Sequence, residues 1–282
     1  MNILHDIKQD LHKYLPIRQP ASHKGDYGRI LLLCGSRGYT GAAYFAAMGA
    51  LRSGAGVVYL AVPESIYEIE AVKLSEPVIM PLPDKEGKMS RNAIAVIKDL
   101  LPKMDAVLIG PGIGMSEDVY EVVKYLVENY NGPLVIDADG INCLSEHTHI
   151  LRDRIYPTIL TPHEGEFVRI GGVILQDRPA AAAELAKQTG SIVLLKGNRT
   201  VITDGIQCYL NTTGNPGMAT GGSGDVLAGV IVSLLGQGVS PLEAAACGAY
   251  LHGAAGDICA EEIGQYGMLP QDILHVLPRL LP

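Results

Sequence analysis

Short apolar runs with no polar alternation recur along the chain and predict the strands of a buried parallel sheet. Helices cover both faces of such a sheet, so successive side chains of its strands are all apolar. Six runs have this pattern: Ile30–Cys34, Val57–Val62, Ala106–Gly110, Leu134–Asp137, Thr158–Thr161 and Ile192–Lys196. We expect these runs to be central strands.

Helical patterns fall between the apolar runs. The clearest covers 117–130, where Ser116 can act as the N-cap, acidic residues open the first turn and Asn131-Gly132-Pro133 ends the helix. Residues 200–210, with Asp204-Gly205 at the centre, predict a β-hairpin. Further helices are predicted over 41–52, 178–188, 226–235, 241–260 and around 272–281.

The alternation of strands and helices predicts an α/β fold. Right-handed βαβ units place helices on both faces of a mostly parallel central sheet, which gives a three-layer α/β/α sandwich. Ligands of such folds bind beyond the carboxyl ends of the strands. Because glycine-bearing loops follow four of the predicted strands, we expect one shared cleft built by residues 35–41, 110–114, 137–140 and 161–165.

Composition narrows the class of protein. A chain of 282 residues, 48% of them hydrophobic, is long enough for a large core, and we expect a single domain over residues 1–282. The formal net charge of −8 argues against binding to nucleic acid or an anionic membrane. Five cysteines without C-x-x-C spacing predict neither a disulfide framework nor a zinc site. The charged N-terminus lacks a signal-peptide apolar region, and no apolar stretch reaches membrane-spanning length, so we predict a cytoplasmic protein.

The segment NPGMATGGSGDVLAG, residues 215–229, places most of its five glycines directly before an apolar helical pattern. Glycine costs backbone entropy, so the cluster indicates close approach of a ligand to the backbone. Several N–H groups at the start of a helix, together with the helix dipole, form a site for an anion. The residues expected to form this anion hole are Gly221, Gly222, Ser223 and Gly224.

Asp225 follows the anion hole and admits two interpretations. A carboxylate beside a bound phosphate is repelled unless it has a chemical task, and accepting a proton from an attacking hydroxyl is such a task. Alternatively, Asp225 only caps the helix. The segment is neither a P-loop, since GxxxxGK[ST] is absent, nor a dinucleotide fingerprint, since Leu227 stands where the last glycine would lie.

The same segment resembles a known signature. GGSGDVLAG is similar to the G-x-G-D signature of the ribokinase-like superfamily, in which glycines form the anion hole and the aspartate is the catalytic base. Together with that signature, four more stretches resemble the ADP/ATP-dependent NAD(P)H-hydrate dehydratase family, over roughly residues 20–280. They are SHKGDYG (22–28), GPGIG (110–114), TPHEGEF (161–167) and KGNRT (196–200).

The resemblance assigns roles to individual residues. Asp225 would be the catalytic base and face the substrate hydroxyl, and Gly224 would contact the nucleotide phosphates. In many ribokinase-like kinases, the counterpart of Glu166 helps to organise Mg²⁺ and an asparagine stands where this chain has His163. That difference favours the dehydratase branch and leaves the metal role of Glu166 open. Ala42, Gly114 and His163 would contact the hydrated nicotinamide, and the nucleotide would lie along Lys196, Gly197, Asn198, Arg199 and Thr200.

The implied reaction repairs NADH or NADPH to which water has been added across a ring double bond. Asp225 would deprotonate the resulting hydroxyl, which attacks the terminal phosphoryl group of ADP or ATP in the presence of Mg²⁺. Elimination of phosphate then restores the dihydropyridine ring, so the enzyme would be a carbon–oxygen lyase acting on small molecules. Relatives suggest a homotetramer, and many carry an epimerase domain that we do not expect in residues 1–282.

Two other functions stay open on the sequence. A kinase of a small alcohol or vitamin precursor would share the superfamily signature, and a non-catalytic nucleotide sensor would need the anion hole but not Asp225. Several residues also have structural interpretations. These are His163 as a hydrogen-bonded structural histidine, Lys196 as a strand-end lysine, Asp137 and Asp139 as turn caps instead of metal ligands, and residues 39–41 as a helix start instead of a second anion site.

Overall fold

The computed structural model of the protein describes residues 2–3, 7–174 and 176–282. Its strands are β1 (Asn2–Ile3), β2 (Arg29–Leu33), β3 (Val57–Pro63), β4 (Val78–Leu82), β5 (Asp84–Lys85), β6 (Lys88–Met89), β7 (Ala106–Ile109), β8 (Leu134–Ile136), β9 (Thr158–Leu160), β10 (Ile192–Leu195), β11 (Val201–Thr203) and β12 (Gln207–Leu210). Its α-helices are α1 (Ile7–Tyr14), α2 (Thr40–Arg52), α3 (Glu64–Lys73), α4 (Ala93–Leu100), α5 (Glu117–Asn129), α6 (Ala138–Cys143), α7 (His149–Arg152), α8 (Glu164–Arg169), α9 (Arg178–Thr189), α10 (Ser223–Gly236), α11 (Pro241–Glu262) and α12 (Pro270–Val276). Short 3₁₀ helices occupy Lys24–Tyr27, Leu101–Lys103, Pro216–Met218 and Leu277–Leu280.

Ten strands of the described chain form one sheet, in the order β1-β12-β11-β10-β9-β8-β7-β2-β3-β4. From β10 to β4 every neighbouring pair is parallel, whereas β11 runs antiparallel to both β10 and β12. Leu31 of β2 lies opposite Tyr59 on one side and Val107 on the other. The short strands β5 and β6 pair with each other outside this sheet. The predicted α/β fold with a mostly parallel central sheet is confirmed.

Alternate side chains of the sheet enter two separate cores, one on each face. Ile30 and Leu32 belong to the core that α2, α10 and α11 cover, while Leu31 and Leu33 belong to the core beneath α4, α5 and α9. All four side chains are fully buried. Burying one such side chain contributes about 1.5–3 kcal/mol, so the two cores fix the strand ends from which the loops of the site start.

The sequence pattern located the central elements well. The six apolar runs are β2, β3, β7, β8, β9 and β10, with bounds that differ by one residue at most. The predicted hairpin is β11–β12, where the Asp204 carboxylate accepts hydrogen bonds from the N–H groups of Ile206 and Gln207. The predicted helices are α2, α5, α9, α10, α11 and α12, although α10 begins at Ser223 and α11 runs on to Glu262. The α-helix α12 ends at Val276, and the 3₁₀ helix Leu277–Leu280 occupies most of the remaining predicted segment.

The pattern did not predict the elements at one edge of the sheet. β4 is the edge strand and exposes Val78, and α3 beside it exposes Ile69 and Val72. Neither element has the continuous burial that gives central strands their uniform apolar sequence. The helices α1, α4, α6, α7 and α8 were also not predicted, since each has eight residues or fewer and so only about two turns of periodicity.

Within the described ranges, no helix combines the length and apolar content needed to cross a membrane. All five cysteines are free thiols with buried side chains.

Candidate functional site

A cavity of about 890 Å³ lies next to the loop that leaves the carboxyl end of β10 and the first turn of α10. One wall is the loop 196–200 and another is the segment 211–220. The helices close the remaining sides, through Leu227 of α10 and His252 of α11. The full set of lining residues is His163, Lys196–Thr200, Asn211–Pro216, Met218–Thr220, Ser223, Gly224, Leu227, Ala249, His252 and Gly253.

The segment 211–220 is fastened to α11 by hydrogen bonds from its side chains. Asn211 donates through Nδ2 to the carbonyl oxygen of Ala249 at 3.1 Å, and Thr213 donates through Oγ1 to that of Tyr250 at 3.0 Å. The segment passes so close to α11 that a Cβ on Gly253 would lie 2.2 Å from Thr213 Oγ1. Only glycine at this position leaves room for the observed path.

Asp257 of α11 fastens the next two residues of the same segment. Its Oδ2 accepts a hydrogen bond from the Gly214 N–H at 2.9 Å, and its Oδ1 accepts one from Asn215 Nδ2 at 3.1 Å. Asn215 Nδ2 also donates to the carbonyl oxygen of Gly256 at 2.9 Å. Asp257 and the Gly256 carbonyl oxygen thus fix the path of this cavity wall against α11.

The turn into α10 presents free N–H groups, as the glycine cluster predicts. Gly222 is the N-cap of α10 and has a φ of 96°, a left-handed conformation that favours glycine. In the described chain, the amides of Gly222, Gly224 and Asp225 have no protein acceptor, whereas the Ser223 N–H donates to the Thr220 carbonyl oxygen at 3.3 Å. These amides sit at the positive end of the helix dipole, so the turn can receive an anion.

Only two of the four predicted anion-hole residues line the cavity. Ser223 and Gly224 line the cavity. Gly221 is exposed outside the cavity wall, and Gly222 packs against the ring of Phe45 in α2, where a Cβ would lie 2.6 Å from the ring. The Gly222 backbone thus shapes the turn, and the next two residues, Ser223 and Gly224, border the cavity.

Asp225 does not cap its helix. The N-cap is Gly222, and the Asp225 carboxylate makes no hydrogen bond or ion pair with the described residues. Burial raises the pKa of Asp225 to about 7; repulsion by Asp137 and Asp139 adds to this effect and Lys196 opposes it. An unengaged carboxyl that ionises near neutral pH suits a general base.

Lys196 is held by two carboxylates. Its Nζ donates to Asp137 Oδ1 at 2.9 Å and lies 3.8 Å from Glu166 Oε2. Burial alone would lower the pKa of Lys196, but Asp137, Glu166 and Asp225 raise it in sum, so the side chain stays charged. Asp137 does not cap α6 with its carboxylate, which instead accepts from Lys196 and from Thr161 Oγ1 at 2.7 Å.

His163 has the structural role that its sequence context left open, and it also lines the cavity. It is the N-cap of α8: its Nδ1 accepts hydrogen bonds from the N–H groups of Gly165 at 2.9 Å and Glu166 at 3.3 Å. Glu166 Oε2 accepts in return from the His163 N–H at 2.9 Å. Because Nδ1 is an acceptor, the neutral ring carries its proton on Nε2, which lies 3.4 Å from Glu166 Oε1.

Ala42 and Gly114, two of the predicted substrate contacts, lie outside the walls of this cavity. They belong to neighbouring segments: Ala42, in the first turn of α2, lies against Gly112, and the Gly114 N–H donates to Asp139 Oδ2 at 2.9 Å. Ser36 Oγ, in the loop before α2, donates to the Gly112 carbonyl oxygen at 2.7 Å. The loops after β2, β7 and β8 thus meet, as expected for neighbouring parallel strands. Asp137, at the carboxyl end of β8, accepts a hydrogen bond from Lys196 on the cavity wall, which links this group of loops to the cavity.

The region around Lys196 also has oxygen ligands suited to Mg²⁺. Among the described residues, no three His, Cys, Asp or Glu side chains form a metal-binding group. Mg²⁺, however, commonly binds through one or two carboxylates and completes its shell with water and phosphate oxygens. Asp137 and Glu166 are buried carboxylates that face one ammonium group beside the cavity, so the residues present fit a Mg²⁺ ion brought with a nucleotide.

Sequence reasoning missed the contribution of α11 and of the segment before the glycine cluster. His252, Gly253 and Asp257 lie in α11, whose mostly apolar sequence is typical of a core helix. No sequence spacing connects these residues to Asn211 or Thr213. A buried histidine in such a helix is usually structural. The only signal was the run of asparagines and threonines between the hairpin and the glycines.

A family model described as NAD(P)H-hydrate dehydratase matches residues 30–279. The chain belongs to the NAD(P)H-hydrate dehydratase family. It is 46% identical over 274 residues to the bifunctional NAD(P)H-hydrate repair enzyme Nnr of Moorella thermoacetica, a match that covers 95% of this chain and 52% of that protein. The chain thus spans about half the length of the curated relatives that it matches.

Solved structures in the NAD(P)H-hydrate dehydratase family and its superfamily have the same fold. The ADP/ATP-dependent NAD(P)H-hydrate dehydratase from Bacillus subtilis, co-crystallised with ATP and Mg²⁺, is 34% identical with a TM-score of 0.83, covering 96% of this chain and 95% of that one. A ribokinase-like superfamily protein from Enterococcus faecalis V583 is 29% identical with a TM-score of 0.85, covering 99% and 94%. The predicted family and the ribokinase-like fold are confirmed.

Proposed function

We propose that this chain is an ADP- or ATP-dependent dehydratase that converts hydrated NADH and NADPH back to the dihydronicotinamide cofactors. The observation that carries the proposal is the unengaged Asp225 carboxyl, with a pKa of about 7, next to free amides at the start of α10 and a large cavity. Family membership supports the substrate class. The B. subtilis relative, an ADP/ATP-dependent dehydratase, supports the phosphoryl donor.

The cavity has the size and the chemistry for an adenine nucleotide. Its volume of about 890 Å³ falls within the ~300–1,000 Å³ range of small-molecule sites. Met218, Leu227 and Ala249 offer an apolar surface for the adenine ring. The phosphates would then lie between the loop 196–200 and the first turn of α10, where the Lys196 ammonium and the free amides carry positive charge.

The hydrated nicotinamide would approach Asp225 from the side of Ala42 and Gly114. Asp225 takes the proton of the ring hydroxyl, whose oxygen forms a bond to the terminal phosphorus of the nucleotide while AMP or ADP leaves. The amides of Gly224 and Asp225 stabilise the negative charge that moves during the transfer. The lone pair of the ring nitrogen then expels phosphate, and loss of a ring proton restores the dihydropyridine.

Asp137 and Glu166 would hold Mg²⁺ in this proposal. Bound there, the ion would neutralise phosphate charge during the transfer. Lys196 would be drawn from these two carboxylates toward the phosphates, since its Nζ also lies near the anion-hole turn, 3.6 Å from where a Cβ on Gly224 would be. His163 remains the N-cap of α8 during the reaction, and its side chain, which is about half exposed, lines the cavity.

A kinase of a small alcohol remains the competing activity, because it would use the same Asp225 and the same turn. The two are separated by the product of a reaction with hydrated NADH, Mg²⁺ and either ADP or ATP. A dehydratase restores dihydronicotinamide absorbance and releases inorganic phosphate in equal amounts. Accumulation of a phosphorylated product without recovered absorbance would support the kinase, and binding without turnover would support a sensor.

We further propose that the protein works in the cytoplasm as a homo-oligomer. Five free buried thiols suit a reducing compartment. Ile69 and Val72 of α3, and Val78 of the edge strand β4 on which α3 packs, are exposed apolar side chains that contact with a second copy would bury. Sedimentation at micromolar concentration tests the assembly: a tetramer is expected, and a monomer would contradict the proposal.

A further inference from the structure

His252 is a buried polar residue on the cavity wall that the reaction described above does not use. It lies in α11, its exposed fraction is 7%, and its Nε2 is 3.3 Å from the Oγ of Ser223. Ser223 is the first residue of α10 and is itself only 6% exposed. The pair therefore joins α11 to the turn that carries the free amides.

The imidazole of His252 is neutral at pH 7. Burial lowers its pKa to about 4, and the nearby Lys196 ammonium acts in the same direction, while a backbone hydrogen bond with Ser223 acts against both. A neutral imidazole has one N–H donor and one acceptor nitrogen. The direction of the hydrogen bond between His252 and Ser223 thus depends on which nitrogen carries the proton.

The two directions have different consequences for a ligand. When Nε2 has no proton, it accepts from the Ser223 hydroxyl, which then has no proton left for a bound anion. When Nε2 has the proton, it donates to Oγ, and the Ser223 O–H is free to donate into the cavity. An anion beside the free amides of Gly224 and Asp225 favours the second arrangement, since it needs hydrogen-bond donors.

We propose that His252 is a positioning residue that presents the Ser223 hydroxyl as a further hydrogen-bond donor to a phosphate group of the bound nucleotide. This inference rests on the proposed nucleotide-dependent function. It differs from the role of an ordinary core histidine, which stabilises the fold without changing how the cavity treats phosphate.

The test compares the binding of ADP and adenosine by calorimetry, because adenosine lacks the phosphates. Ser223→Ala and His252→Leu should each weaken ADP binding by about tenfold, the size expected for a lost hydrogen bond to a charged group. Both variants should bind adenosine as the parent does. The double variant should lose no more ADP affinity than either single one, and His252→Gln, which keeps an N–H donor, should retain most of it.

Ser233→Ala is the matched control, since Ser233 is a buried serine of the same helix whose Oγ accepts from Gln237 away from the cavity. It should leave both affinities unchanged.

Three results would overturn the proposal: equal losses of affinity for ADP and adenosine, unchanged ADP binding in the single variants, or additive losses in the double variant. If His252→Leu does not fold, the test rests on Ser223→Ala and His252→Gln. The proposal then requires Ser223→Ala to lose affinity for ADP but not for adenosine. If the variants show this pattern of ADP and adenosine affinities but the parent protein does not dehydrate hydrated NADH, the proposed function is contradicted and the role of His252 stands.

Discussion

The proposed nucleotide side and the proposed substrate side of the site differ in how far the protein encloses them. On the proposed nucleotide side, side chains of Asn211, Thr213 and Asp257 hold the segment 211–220 against α11, and this segment walls a cavity of about 890 Å³. On the proposed substrate side, the loops around Ala42 and Gly114 meet through side-chain and backbone contacts alike, and they leave Tyr39 and Met115 more than half exposed. We therefore expect single substitutions in the cavity wall to change nucleotide affinity more than they change the KM for the hydrated cofactor.

Asp225 joins the two sides, and its replacement should have the largest effect. A general base contributes roughly 10²–10⁴-fold in rate, so Asp225→Asn should lower kcat by that factor and still bind ADP. Steady-state kinetics and calorimetry check this prediction. A loss of less than about tenfold, well below the general-base range, would place the proton acceptor elsewhere.

The same variant has a predicted effect on stability. The pKa of Asp225 is raised to about 7 in the folded protein, so ionising the carboxyl destabilises the fold as the pH rises from about 4 to about 7. Asp225→Asn should therefore melt higher than the parent at pH 8, and the difference should vanish near pH 4. A lower Tm at pH 8 would indicate that the carboxylate stabilises the helix after all.

Lys196 should matter for both nucleotide binding and stability. Lys196→Ala removes the partner of two buried carboxylates, a loss that can cost about 3–5 kcal/mol in fully buried pairs and less in this partly accessible one. Adding Asp137→Asn should recover stability in urea unfolding but not ADP affinity. Arg199→Ala, which changes an exposed side chain of the same loop, should weaken ADP binding without loss of stability. Unchanged ADP affinity in both Lys196→Ala and Arg199→Ala would remove the loop 196–200 from the nucleotide site.

Gly253 tests whether the wall at 211–220 must lie against α11. The Cβ of Gly253→Ala would meet Thr213 Oγ1 at 2.2 Å and displace the segment, so the Kd for ADP should rise by about tenfold, the scale of about 1.4 kcal/mol. The KM for hydrated cofactor should change less. Gly267→Ala is the control, because its Cβ meets no atom closer than 4.0 Å. Equal effects of the two variants would mean that the close contact is irrelevant to binding.

Substitution of His163 should have the smallest effect, and this effect has two separable parts, one on stability and one on the KM for hydrated cofactor. Losing the cap of α8 costs about 1 kcal/mol, so His163→Ala should lower stability, whereas His163→Asn should keep the cap. If the ring also contacts the hydrated nicotinamide, both variants should raise the KM for hydrated cofactor by a few-fold and leave that for nucleotide nearly unchanged. The opposite pattern would make His163 a nucleotide-side residue, in keeping with its place on the cavity wall.

The sequence predicted those parts of the molecule whose burial or backbone geometry dictates residue type. The buried strand β7 and the turn before Asp225 follow directly from uniform apolar composition and clustered glycines. It did not reveal that Lys196 pairs with Asp137 from another strand end, nor that α11 carries His252 toward Ser223. Those contacts join residues far apart in the chain, and apolar neighbours on α11 make its polar wall residues look like ordinary core.

The central claim is that the hydroxyl oxygen of the hydrated cofactor leaves as part of phosphate, and isotope labelling tests it most directly. Hydrated NADH carrying ¹⁸O in that hydroxyl is incubated with the protein, Mg²⁺ and ADP or ATP, and the released phosphate is analysed by mass spectrometry. The mechanism predicts one ¹⁸O atom in each phosphate, because that oxygen bonds to phosphorus before the carbon–oxygen bond breaks. Unlabelled phosphate together with ¹⁸O in water would contradict it, since nucleotide hydrolysis would then be separate from removal of the hydroxyl.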